Sequence, residues 1–299
     1  MGVCPLLTIG DTSAMSRVLI PALALAASVA AEIRQQPSFR SGAVGVRVDV
    51  LVADGRKPVA GLAVQDFELR DNGVLQSIQL VDAHDIPLNV VLALDTSAST
   101  TGKRHADLMA ASAVLLDELR EGDQAALTTF SHAVVPLLAP TTDLAAVRRR
   151  LQTITTAGRT AVMDAVHVAL MQTIAQPGRS LVVVCTDGSD VSSWLRPEDV
   201  IESARRSSAV IYGVATANGR HVAPLESVAE ATGGEVLIES SDDLRGAFRR
   251  IVQDFRSRYI LAYTPEGVEA GGFHRLDVRI KRRGLSVKAR PGYIGGTTR

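Results

Sequence analysis

The sequence predicts an α/β protein in which a doubly wound, mostly parallel sheet is inserted between N- and C-terminal β segments that form a small β-sandwich. Three observations carry this. From Leu88 to Arg256 short apolar runs alternate with helical patterns, as in a sheet covered on both faces. On either side of that stretch apolar and polar residues alternate singly, the period of a half-buried strand. Each flanking segment is roughly forty residues long, marginal as an independent core, so the two are expected to pack together.

The chain opens on Met1 to Ala14, an odd prefix before Met15, which offers a second start. Arg17 then precedes an apolar core from Val18 to Ala27, and Ser28-Val29-Ala30-Ala31 supplies small residues for cleavage. Residues 1–31 therefore read as a signal peptide. The apolar run is shorter than the roughly 20 residues of a membrane span. The reading implies a bacterial protein exported to the periplasm or the exterior, touching a membrane only if the leader stays uncleaved. Gln35 to Gly42 reads as a linker.

The first β segment is placed at 42–85. Val44–Val52 alternates as a strand, and Asp54-Gly55-Arg56-Lys57-Pro58 is a turn. Phe67–Arg70 and Gln76–Leu80 flank Asp71-Asn72-Gly73, whose Asn-Gly pair is a strong hairpin signal. The α/β domain is placed at 87–257. Its expected strands are Val90–Leu94, Gln124–Phe130, Val134–Leu138, Ser180–Cys185, Val210–Val214 and Glu235–Ile238. Its expected helices are His105–Leu119, Leu144–Ile154, Ala161–Ile174, Pro197–Arg206, Pro224–Ala231 and Leu244–Arg256. Pro197 suits a first helical position, and Ser240, Ser241 and Asp242 offer caps before the last helix. The second β segment, 258–294, holds Tyr259–Tyr263, Phe273–Ile280 and Leu285–Ala289.

Lys+Arg and Asp+Glu both number 32 in 299 residues. That balance argues against nucleic acid or an anionic membrane as the main partner. The basic run Lys281-Arg282-Arg283 is short and reads as a solvated strand end. Of two cysteines, Cys4 lies in the leader and Cys185 in an apolar run, so a buried inert thiol and no intramolecular disulfide are expected. No Cys/His zinc spacing is present.

The chemistry concentrates where strands end. Asp95-Thr96-Ser97-Ala98-Ser99 follows the apolar run Leu88–Leu94; Gly158-Arg159-Thr160-Ala161 precedes a helix; Cys185-Thr186-Asp187-Gly188 closes another strand. Ligands of open parallel sheets bind beyond the carboxyl ends of the strands, so three distant loops are expected to meet. Oxygen donors without Cys or His suit Mg²⁺ or Mn²⁺, and less well Ca²⁺. Two carboxylates, Asp95 and Asp187, neutralise a divalent ion. The hydroxyls of Ser97, Ser99 and Thr160 add no charge, which leaves the ion electrophilic toward a water or an outside carboxylate.

These residues resemble the metal-ion-dependent adhesion site of von Willebrand factor type A (VWA) domains, over 87–257, with a Rossmann-like fold. Gly61-Leu62, Asp66-Phe67-Glu68-Leu69, Asp71-Asn72-Gly73, Tyr259–Tyr263 and Arg290-Pro291-Gly292-Tyr293 resemble the VWA-related proteins abundant in acidobacteria. The resemblance implies that Ser97 and Ser99 coordinate the ion directly and that Asp95 acts partly through water and orients both serines. It also implies that Thr160 and Asp187 exchange direct and water-mediated roles as a partner carboxylate enters. The function expected is a metal-dependent protein-interaction module whose partner offers an Asp or Glu, with no small-molecule substrate. A metal-independent assembly domain is the alternative, and a metal-assisted hydrolase a third reading.

Enzyme readings are weak. No G-x-S-x-G elbow surrounds Ser97 or Ser99, and His84, His105, His132, His167, His221 and His274 form no H-E-x-x-H pattern. An Asp-x-Asp phosphatase needs an acid where Ser97 stands. Thr101-Gly102-Lys103 lacks the opening glycine of a phosphate loop. Around the site, Asp190 reads as a turn residue capping the loop of Trp194, Asp164 as a first-turn acid or a partner of the site loop, and Arg159 as a solvated charge. Trp194, the single Trp, reads as locally packed or, if exposed, as an anchor for a partner.

Overall fold

The computed structural model describes residues 45–174, 176–216 and 222–296. The expected leader (1–31), the linker (35–42) and His221 lie outside the described residues. In chain order the first strands are β1 (Val46–Asp54), β2 (Lys57–Pro58), β3 (Phe67–Asp71), β4 (Val74–Leu75) and β5 (Gln79–Val81). The central stretch holds β6 (Leu88–Asp95), α1 (Lys103–Asp117), β7 (Gln124–Phe130), β8 (Val134–Thr141), α2 (Leu144–Leu151), α3 (Val162–Thr173) and β9 (Arg179–Thr186). It continues through α4 (Pro197–Arg206), β10 (Val210–Thr216), α5 (Ala223–Ala231), β11 (Val236–Glu239) and α6 (Leu244–Arg256). The chain then returns to strands β12 (Tyr259–Tyr263), β13 (Gly272–Ile280), β14 (Ser286–Lys288) and β15 (Gly292–Gly295).

The central sheet has the order β11-β10-β9-β6-β7-β8. All its pairs are parallel except β7 with β8. Every residue of β6 and β9 is buried, which is why those runs carry no polar alternation. The two apolar faces are covered by different helices. Leu108, Leu115, Val147, Phe248 and Phe255 bring α1, α2 and α6 to one face. Val166, Leu170, Val200 and Val228 bring α3, α4 and α5 to the other. The helix after β6 thus lies on one face and the helix after β9 on the opposite one. The adjacent ends of β6 and β9 are the topological switch point, where a crevice opens.

The flanking strands pair with one another across the chain. One sheet runs β14-β1-β12-β5, with β2 beside β1; the other runs β15-β13-β3-β4. Both contribute to one apolar cluster, with Val48, Val50 and Leu261 from the first and Phe67, Leu69 and Leu276 from the second. Arg179, at the start of β9, ion-pairs with Asp49 of β1 and donates to the Phe255 carbonyl at 2.8 Å. Arg258 is 2 % exposed. It donates to the Tyr212 hydroxyl at 2.8 Å and the Gly233 carbonyl at 2.7 Å. Two buried guanidinium groups therefore seat the paired β segments against the central sheet.

Some local expectations are corrected. Asn72 and Gly73 adopt φ of 47° and 84°, the left-handed pair that a tight hairpin needs. The returning strand is Val74–Leu75, however, not Gln76–Leu80. Gln76 is buried, and its amide donates to the Val74 and Glu266 carbonyls while accepting from Glu266 N. That exchange turns the chain out of the hairpin, and Gln79–Val81 joins β12 in the other sheet. The second helix stops at Leu151 rather than Ile154, and β8 runs on to Thr141 through Pro136 and Pro140. A sheet edge tolerates those prolines because no partner needs the missing N–H on that side. The pairing of Gly292–Gly295 with β13 was not among the expected strands.

Candidate metal centre

The loop after β6 is held in place by its own backbone. Thr96 N donates to the Phe130 carbonyl at 2.7 Å, Ala98 N to the Gly158 carbonyl at 3.0 Å, and Ala157 N to the Thr96 carbonyl at 2.7 Å. The 95–100 loop is thus tied to the end of β7 and to the loop carrying Thr160. Gly158 has φ of 88° and lies so close to His132 that a Cβ would come within 2.3 Å of its Nδ1. The positive φ is what favours glycine there.

Asp95, 1 % exposed, spends both carboxylate oxygens inside the protein. Oδ1 accepts from Ser97 N at 2.8 Å and Oδ2 from the Thr186 hydroxyl at 2.7 Å. Burial holds its carboxyl above the usual range, against the opposing pull of the Ser97 and Thr186 hydrogen bonds. Ser97 Oγ stands 3.0 Å from Ser99 Oγ, and Ser99 Oγ donates to Asp187 Oδ1 at 2.8 Å. The oxygens of the first and third loops therefore form one continuous chain. Thr160 is 5 % exposed. Its hydroxyl faces Gly188, where a Cβ would sit 3.8 Å away.

Two neighbours emerge only from the fold. Arg104, in the first turn of α1, places Nη1 3.5 Å from Asp187 Oδ2 and 3.4 Å from the Ser99 carbonyl. Thr100 brings its hydroxyl to 3.5 Å from Ser97 Oγ. Neither follows a motif spacing; the hint for Arg104 is its place in the first turn of the helix after the serines. Cys185 is buried beneath the site, and burial pushes its thiol well up, so it is inert.

The acids beside the site tie the start of α3 and the Trp194 loop to each other. Asp190 accepts from Met163 N at 2.9 Å and so caps α3, besides holding its own turn through Ser193 N at 3.1 Å. Asp164 accepts from Trp194 N at 3.0 Å and Leu195 N at 3.0 Å. Val191 N donates to the Thr160 carbonyl at 3.0 Å, and Arg159 donates to the Val191 carbonyl at 3.2 Å. Trp194 is not locally packed: its backbone is fixed, yet its side chain is 92 % exposed.

The donor set fits a hard divalent cation. Among the described residues no group of three or more His, Cys, Asp or Glu side chains is placed to hold a metal ion; the oxygens gathered here are those of carboxylates and neutral hydroxyls, which suit a hard cation. Asp95 is placed to orient Ser97; Ser97, Ser99 and Asp187 are brought into one hydrogen-bonded chain, while the Thr160 hydroxyl stands beside Gly188 without joining it.

Comparison with known proteins agrees with this architecture. No curated protein sequence matches the chain. Among solved structures, proximal thread matrix protein 1 of the mussel byssus, determined with a zinc-occupied MIDAS motif, aligns at 18% identity and a TM-score of 0.53. The alignment covers 61% of this chain and 49% of that one, so the chain spans about half the length of the mussel protein. A von Willebrand factor type A protein from Catenulispora acidiphila aligns at 14% identity and a TM-score of 0.51, covering 86% of this chain and 75% of that one. These likenesses concern the fold. The family model of the von Willebrand factor type A domain matches residues 89–251, more than half of the chain, and the protein belongs to that family.

Proposed function

We propose that this protein is a non-catalytic interaction module that binds a partner protein through a divalent cation, Mg²⁺ or Mn²⁺ before Ca²⁺. The observation that carries the reading is the oxygen chain from Ser97 through Ser99 to Asp187, built from loops 88 residues apart at the switch point of the sheet. Ser97 and Ser99 would hold the ion directly, with Thr160 and Asp187 sharing the remaining protein contacts. Asp95 would set the serine loop from below through Ser97 N and Thr186. The bound ion would supply an electrophilic position for an outside Asp or Glu carboxylate. Among the described residues Ser97 and Ser99 hydrogen-bond to hydroxyls and a carboxylate and not to an imidazole base, which favours ligand over nucleophile for both.

The surroundings suit a protein surface as partner. Trp194 projects from a loop whose backbone is bound to the Thr160 loop, and an exposed, rigidly mounted indole is an efficient interface anchor. The zinc-occupied motif of the mussel matrix protein supports metal binding by this fold. The leader-like residues 1–31 support export to a bacterial periplasm or exterior, and among the described residues no helix is long and apolar enough to cross a membrane. A pull-down from the native envelope fraction tests the reading. Partner capture in Mg²⁺ should be lost in EDTA and with Asp95→Ala. Capture that survives both treatments would favour the metal-independent assembly domain.

A further inference from the structure

We propose that a second ligand site lies at the opposite edge of the central sheet, between the β-sandwich and the C-terminal end of α4, and that it takes a small molecule bearing a phosphate or carboxylate group. The helix α4 starts beyond the end of β9 and finishes ahead of β10, so its last turn is at the N-terminal edge of the strands. There a cavity of about 570 Å³ opens, within the range of small-molecule pockets. Arg47, Arg205, Arg206 and Arg290 line it together with His274 and Tyr293, and no Asp or Glu is among the lining residues.

Two of these arginines, Arg205 and Arg290, stand outside the ion pairs of the described residues. Arg206 pairs with Glu202 on its own helix. Arg205 stacks its guanidinium 4.6 Å over the Phe273 ring and makes no ion pair among the described residues. Arg290, 8 % exposed, donates from Nη2 to the Ala204 and Ser207 carbonyls at 3.1 and 2.8 Å, and its Nε is buried without a partner. Capping α4 places that one nitrogen on the partly negative helix end and leaves the rest of the guanidinium without a hydrogen-bonded carboxylate. Burial pulls its pKa down to about 10, against the partly restoring charge of Asp49. His274 is 1 % exposed; its Nδ1 faces Asp71 at 2.9 Å, while Nε2 is buried with no partner beside Gly295 at the cavity wall.

A buried guanidinium without a counter-ion is costly, and an oxyanion returns both charge and acceptors. The fork of Arg205 and the free edge of Arg290 are suited to a planar or tetrahedral oxyanion. The Tyr293 ring, stacked on His274 at 4.6 Å, offers an apolar wall to the rest of the molecule. This site is independent of the metal centre.

The test uses the full chain in EDTA, with pyrophosphate and citrate as probes and sodium chloride at matched ionic strength as reference. At least one probe should raise the melting temperature saturably at millimolar concentration. Arg205→Gln with Arg206→Gln should weaken that probe by about tenfold or more, and Asp95→Ala should leave it unchanged. Amide shifts of the wild-type chain provide a readout that needs no variant, and they should cluster on residues 204–208 and 292–296. No rise beyond chloride with either probe, an unaltered affinity in the double variant, or shifts elsewhere would overturn the proposal.

Discussion

Asp95 illustrates how one buried side chain can shape a loop from beneath it. Its carboxylate is closed off by Ser97 N and Thr186, so its work is to hold the serine loop in register. Arg104 acts in the opposite sense, since its guanidinium stands beside Asp187 and Ser99 and repels any cation held there. Arg104→Gln should therefore tighten Mn²⁺ binding, by about three- to tenfold for a charge at this range near a protein surface. Calorimetric titration of the two forms checks this; weaker binding in the variant would mean that Arg104 supports the loop more than it opposes the ion. The gathering of Asp95, Ser97, Ser99 and Asp187 was legible because each stands at or just beyond a strand end. Arg104 and Thr100 were not, because their approach depends on how α1 leaves β6. For Trp194 local packing was the first reading and exposure the alternative, and the side chain is exposed, because a lone aromatic in a loop carries no sign of which way it faces.

At the scale of single elements, hydrophobic period and turn residues placed most strands and helices. Asn72-Gly73 marked the hairpin turn, yet nothing in the sequence shows that Gln76 exchanges two hydrogen bonds with residue 266 and cuts the returning strand to two residues. Asp66 is a similar long-range clasp. It accepts from Ala63 N at 2.9 Å and from both Nε and Nη2 of Arg282, at 3.0 and 2.9 Å, joining the start of β3 to the end of β13. The Ala63 N–H and Arg282 hold its carboxyl below the usual range. A depressed carboxyl contributes stability above its unfolded pKa and loses it as pH falls through the folded one. Asp66→Asn should thus be less stable than wild type at neutral pH, with the gap closing in acid below the usual carboxyl range. Urea midpoints across pH check this, and a gap that persists in acid would assign the effect to packing.

Across the whole molecule, insertion of the α/β stretch between paired β segments makes the two parts depend on each other. The Asp49–Arg179 pair is the closest ionic tie between them, with side chains 15% and 5% exposed. Asp49→Ala leaves a buried guanidinium unpaired and should cost about 3–5 kcal/mol, read from denaturant unfolding; a loss below about 1 kcal/mol would place the coupling in the apolar contacts instead. The pairing of distant β segments was foreseeable from their size, since neither suffices as a core. The arginines that seat them were not, because a buried Arg looks like a solvated one in sequence. The central claim is that this assembly brings three loops together to hold a divalent cation. It is tested most directly by calorimetric titration of the full chain with Mn²⁺, beside Ser97→Ala with Ser99→Ala and beside Asp187→Ala. The account predicts saturable binding at a single site by wild type and its loss in both variants. Equal binding by all three forms, or none by wild type, would contradict it.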